Sequence, residues 1–223
     1  MPTPIQTQVG PQGSADGALP ILRSGRQGDA IVSELHGRFY EQTFRGNMYS
    51  NATLALNALT ANTITLTATT TPILGVYNPA SSSVNLVILQ AVLSSGINAA
   101  AATGPGAFVW ATSIGNAAIT IGTAPFNQKT LTSAGSQAKG LSFIALTGLT
   151  NALVIQEASD FPTPTIITTA AVPTSVTTPS VSVVQNIDGS FVIPPGGILA
   201  LLNTVSTTTV SVTGRLMWEE VPI

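Results

Sequence analysis

The chain has 223 residues, 44% of them hydrophobic but only 7% charged, with a net charge of −2, where an ordinary globular protein is roughly 25% charged. Seven Lys and Arg and no cysteine exclude a basic stripe that would release counterions from nucleic acid, disulfides, and thiolate metal sites. Disorder is excluded as well, because hydrophobicity is retained and only charge is missing, so Thr, Ser, Asn and Ala must form much of the surface.

Charge divides the sequence into an arm, residues 1–50, and a body, residues 51–223. Eight of the sixteen formal charges fall within the first 45 residues, and none occurs from 46 to 128. A Thr/Ala-rich surface costs little to dehydrate compared with Lys or Glu, which suits permanent contacts between identical copies. The opening MPTPIQTQVGPQ lacks a positive n-region and an apolar h-region, so a secretory signal is not expected. The first twenty residues are rich in Pro, Gly, Gln and Ser and read as an extended tail. Residues 28–50 then set Phe39, Tyr40, Phe44 and Tyr49 among Arg38 and Arg45, a mixture suited to docking on a neighbour or to a short capped element leading into the body.

From residue 51 onward, short β-branched and apolar runs alternate with Gly, Pro, Asn and Ser clusters, which predicts an all-β body. Strands are expected at 62–69, 73–77, 84–93, 107–112, 118–121, 141–147, 152–156, 165–172, 180–184, 190–193, 198–202 and 207–218. The run 84–93 is apolar at odd and even positions alike, as in a strand covered on both faces, and is about half the ~20 residues of a membrane-spanning helix. Asp188-Gly189 reads as a hairpin turn, and Pro194-Pro195-Gly196-Gly197 as a sharp reversal before the next strand. In 207–218, Val210, Val212, Gly214, Leu216 and Trp218 share one face. So many short strands are most economically arranged as an antiparallel β-sandwich, jelly-roll-like, behind an extended N-terminal arm.

Chemistry is limited by its reagents. His36, the only histidine, lies in the polar arm, so neither a Ser-His-Asp triad nor a zinc site is expected. Glu157 and Asp160 share one predicted loop, and Glu219 and Glu220, adjacent on a strand, point to opposite faces. Phosphate-binding, dinucleotide and nucleophile-elbow motifs are missing, and the sequon at Asn51 is discounted as chance composition. No cofactor and no catalysis are expected.

Two stretches, SELHGRFYEQTFRGNMYSN at 33–51 and GRLMWEEVPI at 214–223, resemble structural proteins of tailed bacteriophages, in which an LHGR(F/Y)YEQ-type arm precedes a Thr/Ala-rich β body ending on W-E-E-V-P. The resemblance implies a virion component, first of all a head decoration or cement protein on the capsid surface. It also implies a homotrimer, with the major capsid protein or another virion protein as partner. Arg38, Phe39, Tyr40, Phe44, Arg45 and Tyr49 are the expected partner-binding residues. A tail- or fibre-associated receptor-binding protein is the alternative, and a carbohydrate-active enzyme using Glu157 and Asp160 is a further one.

Overall fold

The computed structural model describes residues 38–53, 57–58, 70–97, 106–116, 119, 121–162, 181–205, 207 and 210–223. Residues 1–37 of the expected arm and the expected strands at 62–69 and 165–172 lie outside these. The compact unit that holds the sandwich runs from Gln42 to Ile223, so it begins ahead of residue 51.

Among the described residues one helix, α1 (Tyr40–Arg45), precedes strands β1 (Met48–Ala52), β2 (Asn57–Ala58), β3 (Leu74–Tyr77), β4 (Val84–Ile97), β5 (Phe108–Ser113) and β6 (Phe126–Asn127). After these come β7 (Lys139–Gly140), β8 (Val154–Ala158), β9 (Val181–Asn186), β10 (Val192–Ile193), β11 (Ile198–Asn203) and β12 (Val210–Pro222). They form two antiparallel sheets. The first has the order β10-β4-β12-β1-β6, with β9 also on β4 and β2 on β12; the second has the order β7-β3-β11-β5-β8. The pairings are nested: β1 with β12, β3 with β11, β4 with β9 and β10, and β5 with β8. A long hairpin folded back on itself and rolled into two layers is the jelly roll, here with β6 and β7 added beside β1 and β3.

The layers meet over Leu86, Ile88, Leu93, Val212, Leu216 and Trp218 of the first sheet and Leu74, Val76, Phe108, Trp110, Leu199 and Leu201 of the second. Strand β11 is buried at all six positions. Its odd-numbered leucines face the first sheet, while Ile198, Ala200 and Leu202 lie under a separate cluster with Leu141, Leu146 and Leu153. Among the described residues, the inner strands β3, β5 and β11 of the second sheet are thus covered on both faces.

Strand β4 achieves its apolar run differently. Val84, Leu86 and Ile88 are buried, then Ala91, Leu93 and Ser95. The parity changes because Leu89 is an extra residue in the ladder, Met217 pairing with Gln90 but Trp218 with Ile88. A β-bulge therefore turns what looked like two apolar faces into one inner face with a register switch.

Asp188-Gly189 serves that switch. Both residues have positive φ, 55° and 82°, and the Ser190 N–H donates to the Ile187 carbonyl at 3.0 Å, a type I′ signature. Yet no hairpin results, because β9 and β10 both lie along β4. The turn bulges out of one interrupted edge strand and donates two N–H groups, from Ile187 and Asp188, to the Leu89 carbonyl at 2.9 and 3.0 Å.

The run 141–147 follows the approach to β3, with N–H groups of Leu141, Phe143 and Leu146 donating to the carbonyls of Gly75, Pro72 and Thr70. The left-handed Phe143 (φ 54°) breaks the regular ladder, so the expected strand is a loop that lids the second sheet. In the expected strand 118–121, Ile119 and Ile121 are described, and neither lies in a strand.

Candidate functional site

Among the described residues no group of three or more His, Asp or Glu side chains gathers as metal ligands would. Glu157 lies in strand β8, rather than in a loop, and both it and Asp160 are exposed. Glu219 and Glu220 take opposite faces of β12, as alternation requires. Burial pushes the Glu219 carboxyl above its ordinary value, with the positive charge of Arg45 opposing the rise. Glu220 points inward and is almost fully buried. Its carboxylate accepts from the Ser136 hydroxyl at 2.5 Å and from the Gln137 N–H at 3.2 Å, which closes the loop after β6 onto the end of the core. This acid is fully employed in structure.

A shallow cleft of about 190 Å³ opens between the ends of β5 and β8 and strand β10, lined by Ile114, Gln156, Phe191, Val192 and Pro194 among others. It is smaller than the ~300 Å³ at which small-molecule pockets begin, and its lining contains no charged side chain. What it offers is apolar contact area rather than chemistry.

The residues expected to bind a partner separate into two environments. Arg38 and Phe39 form the turn before α1, with the guanidinium carbon 5.3 Å from the Phe39 ring centroid. Tyr40, Phe44 and Arg45 are exposed on α1, Phe44 at 60%. The Lys129 ammonium sits 5.1 Å from the Phe44 ring centroid, a cation–π arrangement that holds an apolar ring at the surface. Tyr49 is the exception. It pairs with Trp218 across β1 and β12 and lies in the core at 7% exposure, so it does not share the surface of the others. Alternation along β1 turns it inward together with Asn51, while Ser50 receives the Gln128 amide at 2.7 Å. Burial raises the Tyr49 phenol above its ordinary value, a hydrogen bond with Asn127 opposes this, and the charge of Glu220 adds to it.

The tertiary structure also exposes apolar side chains that sequence reading passes over. Ile114, Val154, Ile155, Val184 and Val192 lie along the edges formed by β8, β9 and β10, and Phe126 and Leu131 beside β6. All five residues of β8 are exposed, and among the described residues no strand pairs with its outer edge. The adjacent Val154 and Ile155, on opposite faces of a strand next to exposed Gln156 and Glu157, are the one local sign of an edge that projects past the core. Comparison with protein-family models, with curated proteins and with solved structures finds no match for the chain.

Proposed function

We propose that the protein is a non-enzymatic virion subunit of a tailed bacteriophage, a head decoration or cement protein. In this reading it assembles as a homotrimer on the capsid surface and stabilises the shell. The observation that carries the proposal is the likeness of SELHGRFYEQTFRGNMYSN and GRLMWEEVPI to phage structural proteins. A charge-poor jelly roll with apolar side chains along its edges supports it, since such surfaces are dehydrated at small cost when identical copies meet. The major capsid protein or another virion protein is the docking partner, contacted by Arg38, Phe39, Tyr40, Phe44 and Arg45. Aromatics and Arg are the side chains that most often carry interface energy.

Removing residues 1–41 and replacing Phe44 and Arg45 by Ala tests this. A cut at residue 50 would remove most of β1, which pairs with β12 from Met48 onward, and would confuse docking with unfolding. The shortened chain is expected to keep the sandwich and to stop attaching to its particle. Undiminished attachment would overturn the docking role.

A further inference from the structure

The sheet orders give the sandwich two lateral sides, one made by the edges β6 and β7 and the other by β8 and the interrupted strand β9/β10. The exposed large apolar side chains concentrate there. Within the described part of the 42–223 unit, all of them except Val205 and Ile223 lie at one side or the other. The β8/β9/β10 side carries Ile114, Val154, Ile155, Val184 and Val192, with Val154 58% exposed. The opposite side carries Phe126, Leu131 and Phe44, with Leu131 75% exposed.

The two sides differ in charge. Around the β8/β9/β10 side stand Glu157, Asp160 and Asp188, and no Lys or Arg among the described residues. Around the β6/β7 side stand Arg45, Lys129 and Lys139. Acids stand near the latter as well: Glu219, beside the positive charge of Arg45, and Glu220, bonded to Ser136 and Gln137, while Glu41 shares helix α1 with Arg45. Arg215 lies within β12, which is flanked by β4 and β1, away from either edge. In a chain with so few charges, this difference biases how two copies can meet. Two β8/β9/β10 sides brought together would set acid against acid, a repulsion that desolvation strengthens. Unlike sides brought together join acid to base over apolar ground.

Resting on the reading of this chain as an assembly subunit, we propose that copies associate head to tail. The β8/β9/β10 side of one copy seats on the β6/β7 side of the next, and the heterologous contact closes into a ring. The outer backbone edge of β8 and the apolar cleft beside Val192 belong to one half of the contact, and Phe126 with Leu131 to the other, which leaves Phe44 and Arg45 to the docking partner.

Two double variants of the full chain test the arrangement by sedimentation velocity and native mass spectrometry: Val154→Asp with Ile155→Asp, and Phe126→Asp with Leu131→Asp. The unaltered chain should form one closed oligomer. Each variant alone should be monomeric at a concentration where the unaltered chain is fully assembled. An equimolar mixture should give a one-to-one heterodimer and nothing larger, because one intact contact remains and the two altered sides are both acidic. Thermal unfolding checks that each variant folds, and Val192→Asp and Lys129→Glu repeat the test if a double variant does not. A monomeric unaltered chain would overturn the inference, as would variants of which only one, or neither, loses assembly. Self-pairing of one side would overturn it while leaving the virion reading intact; absence of the chain from phage particles would do the reverse.

Discussion

Gly140→Ala should destabilise the sandwich through one side chain, Asn51. A Cβ on Gly140 would meet the Cγ and Oδ1 of Asn51 and stand 2.6 Å from its Nδ2. The backbone cannot withdraw, because Gly140 exchanges hydrogen bonds with Thr123 at 2.8 and 2.9 Å and pairs with Val76 on its other edge. Asn51 must therefore move. It would lose its bond to the Ser142 hydroxyl at 2.6 Å, its bond to the Gly75 carbonyl at 3.3 Å, and the bond it accepts from Thr123 at 3.3 Å. At about 1 kcal/mol for the short bond, less for the long ones, and about 1–2 kcal/mol for a buried amide left partly unsatisfied, the cost is about 2–4 kcal/mol. Urea unfolding followed by the fluorescence of the buried Trp110 and Trp218 measures it. In an Asn51→Ala background the new methyl group has room, so the same substitution should cost below about 0.5 kcal/mol, a coupling of about 1.5 kcal/mol or more. Equal costs in the two backgrounds would refute the contact, and with it the view that Asn51 ties β1 of the first sheet to β3 and β7 of the second.

Trp110 donates its indole N–H to the Gln185 side chain at 2.9 Å across the sandwich; Trp110→Phe should cost about 2–4 kcal/mol by leaving that amide buried and a gap beside it, and adding Gln185→Leu should recover part of the loss in the same urea assay. The Glu219 carboxyl has a folded pKa above its ordinary 4.5, so folding is favoured below the unfolded value and loses stability as pH rises through the folded one. Glu219→Gln should accordingly raise the urea midpoint near neutral pH and leave it nearly unchanged near about pH 4; a lowered neutral midpoint would show that attraction to Arg45 outweighs burial. For Tyr49, raised above 10.0, the unfolded chain ionises first, so thermal stability should fall as pH rises above that ordinary value, and Tyr49→Phe should flatten this part of the pH profile.

The strands that announced themselves were those whose pattern is made locally. In β12 the inner row Val210, Val212, Leu216 and Trp218 is buried as alternation requires, and in Pro194-Pro195-Gly196-Gly197 the left-handed Gly196 (φ 78°) and the Gly197 N–H to Pro194 carbonyl bond make the expected reversal. Features set by distant partners were not legible. The parity switch of β4 depends on how Leu89 is skipped by β12 and gripped by the 187–190 turn, so residues far apart in sequence decide what its apolar run means. Asp188-Gly189 has the local chemistry of a hairpin, but the choice between hairpin and bulge belongs to β4, on which both flanking strands lie. The surface was legible in part: Phe44 and Arg45 are outside, whereas Tyr49, equally aromatic and equally close to the charges, is drawn into the core by the pairing of β1 with β12. The apolar edges escape sequence reading because a valine in β8 and a leucine in β11 look alike until the sheet order places one at an edge and the other in the middle.

The position and copy number of this chain in an imaged phage particle test the central proposal most directly. The account predicts ring-shaped oligomers of the jelly roll at every equivalent point of the head lattice, each fastened through the segment around Arg38 to Arg45. Particles that lack the chain, or that carry it in a few copies at a tail or a single vertex, would contradict it.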